Sequence, residues 1–169
     1  AQLLPVATRQ PAPGPRWLAA IWWLYTPGVA LLALGMGWPD PQWLAAGAVA
    51  VALALAAWGV LMLRHLSGAR GMPGVVSHGW TALLSLAVLL ASALSLAATW
   101  LGLPVPSRDV TLGLHLVVAP YGFMGVLALG LAYIRVPMFA WSESPPERTQ
   151  LLSCGLALPP VTALLRRPR

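Results

Sequence analysis

The chain has 169 residues, of which 59% are hydrophobic and only 8% charged. A soluble domain carries about 25% charged residues, so this composition excludes a water-exposed globular surface and points to one membrane domain. The net charge of +6 comes from ten arginines and no lysine, placed at the ends of apolar blocks; basic charge there reads as topology and lipid headgroup contact, not as nucleic-acid binding.

Residues 1–16 are Pro-rich, end in Arg16 and lack the apolar core of a signal peptide. They read as a flexible polar tail. The next apolar block, 17–38, is long enough for a first crossing, since a hydrocarbon core of roughly 30 Å takes about 20 helical residues. Pro27 and Gly28 near its middle predict a kink. The link Pro39-Asp40-Pro41-Gln42 forces a turn. A second crossing covers 43–63. The link after it holds Arg64, His65, Gly68, Arg70, Gly71, Pro73 and Gly74, a polar hairpin. A third crossing covers 78–101, and a loop with Pro104, Pro106, Arg108 and Asp109 follows. The fourth covers 110–134, ended by Arg135 and Pro137. The chain thus divides into the tail, a four-helix membrane domain over 17–141, and a polar link with a hydrophobic segment over 142–169.

That last apolar stretch, 149–165, is uncharged. Pro159-Pro160 break a helix there, and a full crossing would place Arg166, Arg167 and Arg169 on the side with fewer arginines. The pattern favours a re-entrant or interfacial segment over a fifth span. The fold class expected is therefore an all-α integral membrane bundle of four helices with one extra C-terminal segment. Trp17, Trp38, Trp43, Trp80, Trp100 and Trp141 fall near the segment ends, where amphipathic rings prefer to sit. Arg9, Arg16, Arg64, Arg70, Arg135 and Arg148 fall on one side and only Arg108 on the other. This predicts a cytoplasmic N-terminus in a multi-pass protein of a bacterial-type inner membrane.

Lipid offers no hydrophobic force between helices, so small and weakly polar residues mark packed faces. The third crossing has such a stripe in His78, Thr81, Ser85, Val88, Ser92, Ser95 and Thr99, at alternating steps of three and four. The fourth has His115, Ala119, Gly122, Val126, Leu129 and Tyr133. Most of both stripes is explained by packing. Tyr121 at mid-span reads as a packed tyrosine.

Each stripe carries a histidine. His115 lies about five residues inside the fourth crossing, roughly 7 Å deep. An ionisable group at that depth is a functional candidate, and neutral imidazole is the usual axial ligand of haem b. His65 and His78 flank one link at similar depth and form a second candidate pair for a haem or metal. His78 and His115 start crossings of opposite direction and cannot share one iron. Each of the three also has a plainer reading as a histidine bonded to a carbonyl or hydroxyl. No carboxylate lies within a crossing, which argues against a proton pump or cation transporter. Cys154 is the only cysteine, so no disulfide within the chain and no CxxCH haem attachment exist. No catalytic triad, HExxH motif or phosphate loop is present, so no catalytic residue is assigned.

His115-Leu-Val-Val-Ala-Pro-Tyr-Gly122-Phe123, followed by Gly130, Tyr133 and Pro137-Met138-Phe139, resembles a helix of the NnrS-like and haem–copper-oxidase-subunit-I-like bacterial membrane proteins. The resemblance covers residues 115–139. It departs at Gly113, where members often carry the first His of His-x-His. It implies His115 as a ligand to haem iron, and a role in respiratory electron transfer or nitric-oxide-related chemistry. The alternatives are an accessory or assembly subunit that packs on other membrane subunits or on itself, and a small transporter component.

Overall fold

Proline and glycine decide where the helices stop. The computed structural model describes residues 3–156, and all regular structure among them is helical. Helix α1 is Leu3–Thr8, α2 is Pro15–Gly37, α3 is Pro41–Ser67 and α4 is Pro73–Trp100. Helix α5, Arg108–Val117, passes through a π-helical segment, Val118–Gly125, into α6, Val126–Ala140. Helix α7 is Glu147–Leu156. Proline opens α2, α3 and α4, where its missing N–H costs nothing. Asp40 caps α3, accepting from the backbone N–H of Gln42 at 2.8 Å and of Trp43 at 3.2 Å. Such a cap contributes about 1 kcal/mol.

Four helices are long and apolar enough to cross a membrane: α2, α3, α4 and the continuous Arg108–Ala140 unit of 33 residues. The chain is a polytopic membrane protein. The fourth crossing runs beyond the expected end at 134, because the helix continues through Pro137 to Ala140. Helix α2 likewise continues through Pro27.

The crossings alternate in direction. Helices α2 and α3 form a tight antiparallel pair through glycine. A Cβ at Gly35 would lie 2.5 Å from the backbone nitrogen of Leu44, and one at Gly28 would lie 2.9 Å from Ala50 Cβ. Gly47 faces the backbone of Leu32 and Gly28 just as closely. In lipid this close approach, not apolar burial, is what holds helices together. Helix α4 is central, packing against α3, α5, the π segment, α6 and α7. Met62 of α3, Leu86 of α4 and Val118 and Val126 of the fourth crossing are almost fully buried. Trp58 meets Phe123 edge-on, with ring centroids 5.8 Å apart.

The stripe expected on α4 is buried at His78, Thr81, Ser85 and Ser92. The stripe on the fourth crossing is buried at Gly122 and Val126 and fails at Leu129. Val118, Gly122, Val126 and Gly130 face inward, while Leu129 is exposed. The i→i+5 bonding of Val118–Gly125 sets this part of the crossing apart from a regular α-helix. Tyr121, within it, is 68% exposed, where the sequence suggests a packed side chain.

Described parts of both terminal segments pack on the bundle. The 1–16 segment has a folded portion: Ala7 and Thr8 are fully buried, and the Arg70 backbone N–H donates to Thr8 O at 3.3 Å. The Gln10 amide donates to Gly68 O. At the other terminus, α7 starts at the same end as α4 and runs alongside it in the same direction, Gln150 against Gly74 and Cys154 against Thr81. Its described part lies along the bundle, as a re-entrant or crossing segment would. Residues 157–169, which carry Pro159-Pro160 and the terminal arginines, lie outside the described residues.

Candidate functional site

The three histidines end in three different settings. His78 on α4 is fully buried. Its Nδ1–H donates to Gly74 O, one turn back, at 2.7 Å. That leaves Nε2 as an acceptor, and Ser153 Oγ of α7 lies 3.3 Å from it. Ser153 Oγ also lies 2.7 Å from Gln150 O and 2.8 Å from the Tyr133 hydroxyl of α6, and its single proton serves either Gln150 O or His78 Nε2. The His78 and Tyr133 rings meet edge-on, centroids 5.5 Å apart. A Cβ on Gly130 would come within 2.7 Å of His78 Cβ, so glycine is what lets α6 approach the imidazole. Thr81 Oγ1 and Cys154 Sγ lie 3.0 Å apart beside this cluster. His78 is thus a joint between α4, α6 and α7.

His65, near the end of α3, is buried as well. Its Nδ1 lies 2.7 Å from Leu61 O and its Nε2 lies 3.1 Å from Pro11 O. Both ring nitrogens face carbonyl oxygens. His65 ties the N-terminal segment to the α3 end and shares no hydrogen bond with His78. Each ring nitrogen of these two histidines lies within 3.3 Å of a protein oxygen.

His115 on α5 is different. Ser92 of α4 donates its hydroxyl to Leu89 O at 2.9 Å, so its oxygen is left to accept the His115 Nδ1–H at 3.1 Å. This fixes the tautomer and leaves the Nε2 lone pair free. His115 is half-buried and lines the space beside it. That space is a cavity of about 550 Å³ between α2, α3, α4 and α5, lined almost wholly by apolar side chains. The volume is in the range of small-molecule and cofactor sites. Leu44, Ala48, Leu89 and Ala97 form walls; His115, Arg108 and Trp100 are the lining residues with polar side-chain atoms.

Arg108, Leu112, His115 and Ala119 all line this cavity. Their spacing of four, three and four puts them on one helix face. Arg108 is exposed at the first turn of α5, at the same end of the bundle as Asp40 and Trp100. In the sequence it counts only as a topology marker. The spacing from Arg108 to His115 was the available signal. The Ser153–Tyr133–His78 cluster had none, because its members lie 20 and 75 residues apart.

No group of three or more His, Cys, Asp and Glu side chains suited to a metal ion stands together among the described residues. Comparison of the chain with models of known protein families, with curated proteins and with solved structures finds no match.

Proposed function

We propose that this polytopic membrane protein binds haem b in the cavity beside His115, with His115 Nε2 as the protein ligand to the iron. The observation that carries the reading is the state of that one imidazole. Its Nδ1 is hydrogen-bonded to Ser92, and the residue lines a cavity of cofactor size. A metal-bound histidine characteristically donates its other N–H in this way. The donor set fits a haem and not a bare metal ion, since no second protein ligand is near. The resemblance of residues 115–139 to haem-binding membrane proteins points the same way. A haem so held supplies one-electron transfer or binding of a diatomic gas such as nitric oxide. The chain's own part is to orient the imidazole and keep the site apolar.

The test is a haemin titration of the purified protein in lipid nanodiscs, read by visible absorption in the oxidised and reduced states. The expected result is a saturable Soret shift at one equivalent, lost in His115→Ala and kept in His65→Ala and His78→Gln. No saturable shift in folded wild type sinks the haem reading.

A second reading is an accessory subunit of a larger membrane complex. It is favoured by α2, whose buried residues are Gly28 and Gly35 alone and which presents Trp22 and Trp23 outward. Recovery of the native protein as a stable monomer in mild detergent would remove that support.

A further inference from the structure

We infer that the cavity selects an amphiphile bearing a carboxylate, with Arg108 at the mouth as its counter-ion. The inference rests on the proposed function only for the identity of the occupant, which would then be haem with a propionate at Arg108.

Three observations carry it. The walls are apolar, so the body of the occupant is apolar. His115 and Arg108 stand apart on one helix face, Arg108 two helical turns nearer the end. Two turns is about 10 Å along the axis, so an occupant whose carboxylate meets Arg108 reaches the level of His115 with its body when it is at least that long. The guanidinium is also unspent. The chain has four carboxylates, and among the described residues Arg108 pairs with none of them, not even adjacent Asp109. Asp40, at the same end, is engaged in capping α3. A permanently charged planar fork beside an apolar cavity is matched by a carboxylate that it can bind bidentately.

The test compares acid and ester forms of the same body, in nanodiscs of zwitterionic lipid. One arm titrates haemin and haemin dimethyl ester, read by absorption. The other titrates a brominated fatty acid and its methyl ester, read by quenching of Trp100, which lines the cavity; Trp100→Phe identifies that part of the quenching. In wild type the acid should bind at least about tenfold more tightly than the ester in at least one arm. Arg108→Gln should erase the difference, and Arg108→Lys should restore part of it. Arg108 is exposed at a helix start, so these variants should fold. Retained burial of Cys154 against a maleimide checks that they do.

Acid preference for the fatty acid without any haemin binding supports the carboxylate site and sinks the haem reading. Haemin binding with equal affinity for its ester, and no fatty-acid preference, overturns the carboxylate site and leaves haem standing. Acid preference that survives Arg108→Gln overturns the role of Arg108.

Discussion

Ser92 decides which nitrogen of His115 is free. Its hydroxyl proton is committed to Leu89 O, so it meets the imidazole as an acceptor. Ser92→Ala should leave the fold intact and weaken haemin binding about 10- to 100-fold, the usual cost of losing such a supporting contact. An unchanged affinity in the nanodisc titration would remove Ser92 from the site. Gly130 makes a sterically simpler case. A methyl group there meets His78 Cβ at 2.7 Å, inside any normal contact. Gly130→Ala should destabilise the bundle by about 1–3 kcal/mol, the range for overpacking, measurable by denaturation in mixed micelles. At this scale the sequence was informative about which residues matter and silent about how. All three histidines sit in defined polar settings, but only hydrogen-bond partners 23, 54 and 75 residues away separate the one with a free nitrogen from the two without.

Among the elements, α7 is held by side chains more than by area. It meets α4 through Ser153–His78 and Cys154–Thr81, and α6 through Ser153–Tyr133. Cys154 is buried at this joint and is the only cysteine, which makes it a reporter. Ser153→Ala should raise the rate of Cys154 alkylation by a membrane-permeant maleimide about fivefold. That is the effect of losing about 1 kcal/mol of hydrogen bonding on a local opening equilibrium. An unchanged rate would mean that Cys154 is shielded without help from Ser153. The four crossings were legible because length, tryptophan and proline each mark them independently. The register after the π segment was not. A seam drawn at regular helical steps runs through Val126 and Leu129, whereas the buried residues are Val126 and Gly130. Pro120 was visible, but a proline marks a break in hydrogen bonding without stating how the next turn closes.

For the molecule as a whole, the alternating crossings put Arg9, Arg16, Arg64, Arg70, Arg135 and Arg148 at one end and Arg108 at the other. Positive residues near short links set orientation, so we expect the six-arginine end to face the cytoplasm and the mouth of the His115 cavity to open on the opposite side. The same end-to-end asymmetry governs both halves of the site. Arg108 is the one described arginine at its end of the bundle, and it lines the His115 cavity. Single cysteines placed in a Cys154→Ala background test the orientation. With a membrane-impermeant maleimide on intact cells, Ser107→Cys should be labelled and Ser67→Cys should not, with both labelled after permeabilisation. The reverse pattern would turn the protein over and place the cavity mouth on the cytoplasmic side. A ligand reaching Arg108 would then come from the cell interior, although the geometry around His115 would be unchanged.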